Sequence, residues 1–117
     1  LILTAAVSSM LTLAVVRALP SPAARVKLEN ARMKATEITY APGSVRERYT
    51  RPSDQLIVFL DDCRYERTDS VTHQKSIQER KSGDVIWHNK GEDGPVLVNV
   101  GAKPYRTLLI ELRSPEK

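Results

Sequence analysis

Short runs of apolar and β-branched residues, each ended by a turn-forming sequence, recur along most of this chain. Residues 56–60 are apolar throughout, which indicates a strand covered on both faces. In residues 105–113, Leu108, Ile110 and Leu112 occupy alternate positions, as expected for a strand. The other predicted strands are residues 26–30, 33–40, 45–51, 63–68, 73–80, 85–88 and 95–99. Since no amphipathic helix follows residue 24, the pattern predicts an all-β sandwich or barrel of antiparallel strands.

Two finer features follow from the same pattern. Residues 85–88 and 95–99 are strand-forming and flank the glycine-rich loop 90–94, so we expect them to pair as an antiparallel hairpin. Within residues 33–40 the apolar positions change parity between Ala35 and Ile38. Such a change predicts a β-bulge in that strand.

The N-terminal region has a different character. Residues 1–16 carry no charge, and Val16 and Ala18 have the small-residue spacing of a signal-peptide cleavage site. Pro20 and Pro22 argue against a core helix here. We expect a signal peptide over residues 1–18, with residue 23 as the latest cleavage position, and a protein exported to the periplasm or cell exterior. The alternative is an uncleaved membrane anchor. A linker (19–25), a barrel domain (26–113) and a tail (114–117) would follow.

The composition limits which kinds of function are possible for this chain. The chain has 117 residues, 18 basic and 14 acidic, with only 5% aromatic side chains. The basic residues are scattered among acids and lack the aromatic stripe of a nucleic-acid site, so no nucleic-acid partner is predicted. Cys63 is the only cysteine, which excludes an internal disulfide and a multi-thiolate metal site. A domain this small has a limited core, so we expect a homodimer.

Several motifs in order resemble those of a small single-domain cupin across residues 26–113. They are residues 41–43, 58–60, 81–87, 99–101 and 104–112. The resemblance implies a jelly-roll-like barrel, often dimeric, with a functional site in the barrel mouth.

Cupins commonly hold a metal ion through conserved ligand positions, and this sequence departs from the pattern at all four. Counted from Gly43 and Asn99, those positions carry Tyr49, Arg51, Gln55 and Pro95. A divalent cation requires imidazole, carboxylate or thiolate ligands, and a guanidinium repels it. We therefore expect no metal and no other cofactor.

Tyr49, Arg51 and Gln55 share strand parity and should face the barrel interior. Arg51 there has two interpretations, since a buried charge must be paired or hydrated. It could pair with Glu47 for structural reasons, or its planar donor fork could bind an anion.

Four further side chains are candidates for the site. His73 and His88 are assigned to the surface or rim. Trp87 is either a core or dimer contact or a ligand platform. Asn99 either supports the mouth or caps a turn.

The predicted ligand site therefore comprises Tyr49, Arg51, Gln55, Trp87 and Asn99, for a small anionic or polar ligand. We expect a non-catalytic, metal-free binding protein. The alternatives are a metal-dependent dioxygenase or isomerase with non-standard ligands, and a structural or dimerisation domain with an inert pocket.

Overall fold

The computed structural model describes residues 20–114, and none of these residues is helical. Eleven strands are present: β1 (Ala23–Glu29), β2 (Met33–Tyr40), β3 (Val45–Arg46), β4 (Tyr49–Thr50), β5 (Gln55–Phe59), β6 (Cys63–Thr68), β7 (Lys75–Arg80), β8 (Val85–His88), β9 (Asp93–Gly94), β10 (Val96–Asn99) and β11 (Tyr105–Leu112). Every strand pair is antiparallel. The predicted all-β, antiparallel architecture is confirmed. The predicted signal peptide and residues 115–117 of the tail lie outside the described residues.

The strands form two main sheets and one short ribbon. The larger sheet has the order β1-β2-β11-β5-β8, the smaller one the order β3-β10-β6-β7, and β4 pairs with β9. Strand β5 shows why the larger sheet has an inner and an outer face. Gln55, Ile57 and Phe59 are buried, whereas Leu56 and Val58 alternate with them and are only partly buried.

The predicted hairpin between residues 85–88 and 95–99 is wrong. Strand β8 pairs with β5, whereas β10 pairs with β6 and β3 in the other sheet. The glycine-rich segment between them crosses from one sheet to the other instead of reversing within one. Part of this crossing, β9, pairs with Tyr49–Thr50. Local turn chemistry marks where a strand ends, but it does not select the strand's partner.

Three further expectations needed adjustment. The register shift lies in β1, between Val26 and Leu28, and not in β2, whose pairing with β11 is regular. Strand β1 already begins at Ala23, inside the predicted linker. The single strand predicted over residues 45–51 is two strands, β3 and β4, in different sheets.

The core lies between the inner faces of the two main sheets. Its buried residues are Tyr40, Ile57, Phe59, Tyr65 and Tyr105. The rings of Tyr40 and Tyr105 stack with centroids 4.7 Å apart, and those of Phe59 and Tyr65 are 6.3 Å apart. Stacked aromatic rings thus make up most of the core between the two sheets.

Within the described residues, we find no helix of the length and apolar character that a membrane crossing requires.

Candidate functional site

A cavity of about 420 Å³ lies between the two main sheets. Part of its wall consists of the buried core residues Tyr40, Ile57, Phe59, Tyr65 and Tyr105 and of the partly buried Leu109. Polar side chains line the rest of the wall, among them Arg46, Tyr49, Arg51, Arg67, His88 and Glu92. A cavity of this size, in which aromatic and aliphatic side chains adjoin converging polar groups, is of the size that small-molecule sites have.

Three residues predicted from the family spacing are joined by hydrogen bonds. Nη1 of Arg51 donates to the hydroxyl of Tyr49 (3.0 Å) and to Oε1 of Gln55 (2.9 Å). The Tyr49 hydroxyl also donates to Oε1 of Gln55 at 3.3 Å. Gln55 is fully buried beside the cavity, and Pro95, at the fourth family position, lines it. The sequence spacing therefore located one real cluster.

The crossing segment between β8 and β10 positions this cluster. The backbone N–H of Arg51 donates to the carbonyl of Glu92 (2.9 Å), and the N–H of Gly91 donates to the carbonyl of Arg51 (2.9 Å). Gly94 lies directly against the ring of Tyr49, since a Cβ at Gly94 would be only 2.4 Å from Cε1 of that ring. The absence of a side chain at Gly94 thus allows Tyr49 to reach the cavity.

Arg51 is a buried charge with no carboxylate at ion-pairing distance in the part of the chain that the structure describes. It is 3% exposed, and no carboxylate of the described residues lies within 4.0 Å of its guanidinium. Its Nε atom is buried and has no hydrogen-bond partner among residues 20–114. Burial lowers the pKa of the guanidinium below its ordinary value, but arginine remains protonated in proteins. The proposed pairing with Glu47 is wrong, because Glu47 is exposed and makes no ion pair with Arg51.

The cavity wall as a whole carries excess positive charge. Four lining arginines (Arg46, Arg51, Arg67, Arg80) face two lining carboxylates (Glu92, Asp93). Asp93 is already engaged by Arg48, with Nε and Oδ1 2.8 Å apart. The guanidinium of Arg46, like that of Arg51, lies over the Tyr49 ring, at 5.2 and 5.4 Å from its centroid. Such an arrangement attracts anions and repels cations.

His88 is the main site residue that the sequence analysis missed. It lines the cavity, and its Nδ1 lies 3.0 Å from Oε2 of Glu92. The other carboxylate oxygen, Oε1, accepts from the backbone N–H (3.0 Å) and the side-chain amide (2.9 Å) of Asn89. These hydrogen bonds, with that of His88, lower the pKa of Glu92. Strand parity could have placed His88 inside, since it alternates with the exposed Val85 and Trp87 and follows Ile86 by two.

The structure does not bring Trp87 and Asn99 to this cavity. Trp87 is 48% exposed on the outer face, where its Nε1 donates to Asn89 Oδ1. Asn99 is buried, and its amide donates to the carbonyls of Tyr40 and Lys103 while its oxygen accepts from the N–H of Gly101. Asn99 therefore holds the turn before β11, which is the capping role considered for it.

The other histidine and the single thiol lie away from the polar cluster. His73 is exposed in the turn before β7, where its φ is 63°. Cys63 packs against the core, and burial raises the pKa of its thiol to about 11. At neutral pH this thiol is protonated and is a poor nucleophile.

The residues present do not fit the metal ion that the fold commonly holds. Tyr49, Arg51, Gln55 and Pro95 occupy the ligand positions, and two arginines flank the space between them. Among residues 20–114, no three histidine, cysteine, aspartate or glutamate side chains come together. A divalent cation would lack a charged ligand set and would face the guanidinium of Arg51.

Comparison with solved structures identifies the fold. The chain is similar to a cupin domain from Bordetella pertussis Tohama I, with a TM-score of 0.72 and 17% identity, covering 81% of this chain and 96% of that one. It is also similar to an RmlC-like cupin family protein with a double-stranded β-helix fold from Methanocaldococcus jannaschii (TM-score 0.62, 9% identity, 83% and 84% covered). A third similar structure is a polyketide cyclase from Streptomyces resistomycificus (TM-score 0.64, 15% identity, 83% and 70% covered).

Neither a protein-family model nor a curated protein sequence matches this chain. The structural likeness establishes that the chain has the cupin fold, the double-stranded β-helix, as the sequence resemblance predicted. At these identities the likeness extends to the fold alone.

Proposed function

We propose that this cupin-fold chain binds a small anionic ligand inside its barrel, with Arg51 as the anchoring residue. The observation that carries the proposal is the buried guanidinium of Arg51, which has no acidic partner and an unused Nε donor among the described residues. A charge in such a place is costly unless another group compensates it. A carboxylate or phosphate supplies both the opposite charge and the missing acceptor.

The expected affinity is modest. A charge-assisted hydrogen bond contributes about 1.5–3 kcal/mol net to the free energy of binding. Apolar contacts with the aromatic residues of the cavity wall add to it. We therefore expect dissociation constants from about a millimolar to about a micromolar. Hydrogen bonds from Tyr49 and the nearby charge of Arg46 favour anions over neutral ligands of the same shape.

The test is a comparison of Arg51→Ala with wild type by thermal shift and by calorimetric titration. The panel comprises small carboxylates, phosphates and sugars. We expect wild type to be stabilised by at least one anion and Arg51→Ala to lose at least ten-fold in affinity. Arg64→Ala is the matched control, since Arg64 is an exposed arginine of β6 that does not line this cavity. If wild type binds nothing in the panel, or if both arginine variants behave alike, the proposal fails.

The same purified protein and ligand panel distinguish anion binding from two other functions. An inert structural or dimerisation domain would give no shift with any ligand. A metal-dependent enzyme with non-standard ligands would carry stoichiometric Fe, Mn, Ni or Zn in elemental analysis of the purified protein, and that result would overturn the metal-free site.

We also propose that the protein acts outside the cytoplasm. The support is the uncharged apolar stretch of residues 1–16 and the small residues Val16 and Ala18 that follow it. Intact-mass measurement of exported material should give an N-terminus near residue 19, or at the latest near residue 24. Retention of the full-length chain in the cytosol would contradict export.

A further inference from the structure

We infer that the cavity is also an active site, in which His88, oriented by Glu92, transfers a proton to and from a carbon atom of the anion bound at Arg51. The substrate class is 2-oxo carboxylic acids with an apolar side chain, and the reaction is keto–enol interconversion. This inference rests on the proposed anion binding and goes beyond it.

The first support is the tautomer of His88 that its hydrogen bond to Glu92 stabilises. The Nδ1 to Oε2 distance of 3.0 Å makes the carboxylate the acceptor of the Nδ1 proton. That tautomer leaves Nε2 with a free lone pair, and no hydrogen bond joins Nε2 to another residue of the described chain. The carboxylate is itself fixed by the two hydrogen bonds from Asn89. An imidazole oriented by a fixed carboxylate is a suitable general base.

The second support is the position of His88 relative to Arg51. His88 is the direct antiparallel partner of Gln55, so the two side chains lie on the same face of the sheet. Gln55 in turn accepts a hydrogen bond of 2.9 Å from Nη1 of Arg51. The base and the anion-binding group are therefore separated by one side chain and line the same cavity.

The third support is the aromatic surface that the cavity offers beside its polar groups. Tyr40, Phe59 and Tyr105 line the cavity with aromatic surface, and the guanidinium of Arg80 lies 5.7 Å from the centroid of the Phe59 ring. A ligand that fills the cavity thus combines an anionic head at Arg51 with an apolar or aromatic body. Aryl and branched-alkyl 2-oxo acids have this form, and their C3 hydrogens are acidic because a carbonyl group is adjacent.

The step balances without a cofactor or a redox partner. Nε2 of His88 takes a proton from C3, and the electron pair of that C–H bond forms the C2–C3 double bond. The carbonyl π pair moves to the oxygen, where the hydroxyl of Tyr49 and the guanidinium of Arg51 stabilise the developing charge. Transfer of that proton from Nε2 to the oxygen gives the enol, and transfer from the oxygen to Nε2 and then to C3 regenerates the ketone.

The test is exchange of the C3 hydrogens of phenylpyruvate and 4-methyl-2-oxopentanoate in D₂O, followed by proton NMR. We expect wild type to accelerate exchange at least ten-fold over an equal concentration of free imidazole, and His88→Gln to abolish that acceleration. Binding of the same acids, measured by thermal shift on wild type and His73→Gln, reports the anion site separately from proton exchange. His73→Gln is the matched control and should exchange like wild type, because His73 lies in an exposed turn.

Glu92 is a positioning residue in this scheme, so Glu92→Gln should lower kcat for exchange at least ten-fold with KM little changed. A loss of folding alone would instead lower the amount of active protein. Near-UV circular dichroism checks the fold of each variant, and His88→Asn serves as a second substitution if His88→Gln does not fold.

The outcomes distinguish the two proposals. If wild type binds the 2-oxo acids but exchanges their C3 hydrogens no faster than free imidazole, the active-site inference is overturned and anion binding stands. If exchange persists in both His88 variants, His88 is not the base and the inference is also overturned. If wild type binds no anion, both proposals fall together.

Discussion

Arg51 occupies a position where the cupin pattern has a metal-binding histidine, and it places a permanent positive charge where that pattern has a neutral imidazole. Its neighbours Tyr49 and Gln55 contribute an oxygen acceptor each and no negative charge. The result is a site with a fixed cation of its own. Such a residue is maintained at a cost in stability, which is expected of a functional group and not of a structural one.

That cost gives a prediction for Arg51→Met. The substitution removes a buried unpaired charge and keeps a side chain of similar length, so the unliganded protein should be unchanged or more stable, by up to about 2 kcal/mol. Ligand-dependent stabilisation should disappear at the same time. Urea unfolding with and without the best anion from the panel measures both effects.

Arg106→Met is the contrasting variant. Arg106 makes a two-pronged ion pair with Asp61, at 2.9 and 3.1 Å, so its loss removes a satisfied contact and should slightly lower the midpoint. If Arg51→Met destabilises the unliganded protein more than Arg106→Met does, then Arg51 has a structural role and the interpretation above is wrong.

At the scale of strands and turns, the crossing segment after β8 decides whether the site forms. It contributes Glu92 to the cavity and the N–H of Gly91 to the backbone of Arg51. Its last residue in β9, Gly94, accommodates the Tyr49 ring. Replacing a glycine of this segment by alanine should therefore affect stability and anion binding differently at Gly91 and at Gly94.

Gly94→Ala tests this point. The new Cβ would lie 2.4 Å from the Tyr49 ring, so the ring must move away from Arg51. We expect a loss of about 1–3 kcal/mol in stability from overpacking and a loss of anion binding. Denaturant titration and the binding panel measure the two effects.

Gly91→Ala is the control in the same segment. A Cβ there meets nothing within 4 Å, although φ is +87°. Its cost should be about 1–2 kcal/mol of backbone strain, with anion binding retained. Equal loss of binding in both variants would show that the segment responds to any substitution and that the Tyr49 contact is not specific.

Strand existence was predictable from the sequence, whereas strand pairing was not. The apolar run of β5 and the alternation of β11 each identify a strand, because burial imposes a period of two. The partner of β8 depends on where the chain crosses between the sheets. The residues near β8 do not determine that crossing. Tyr49 and Arg51 were placed in the site by their spacing within a resemblance. His88 was missed because the family pattern assigns no role to that position.

At the scale of the whole molecule, the outer face of the larger sheet carries an apolar row beside charged positions such as Glu37 and Arg106. Strand register aligns Trp87, Leu56, Ile110, Ala35 and Leu28 in one row across its five strands. Trp87 and Leu28 are 48% and 51% exposed. We propose that this face pairs with the same face of a second copy around a two-fold axis, since an extended apolar surface is typical of an interface.

The variant Trp87→Glu tests this homodimer. Wild type should be a dimer at micromolar concentration by light scattering after size exclusion, and Trp87→Glu should shift it toward monomer by placing a charge in the interface. Anion binding should persist, because Trp87 does not line the cavity. A wild-type monomer at micromolar concentration would contradict the assembly only. His73→Glu, which adds the same charge in the turn before β7, is the control.

All five buried core residues also line the cavity, and this has an evolutionary consequence. In most enzymes the binding pocket can change while the residues that hold the fold together stay fixed. Here, a substitution at any of these five side chains that adapts the pocket to a new apolar ligand body is also a change in the core. Under the proposed anion binding, selection for a ligand with a different apolar body must therefore act within the narrow range of side chains that still let the barrel fold.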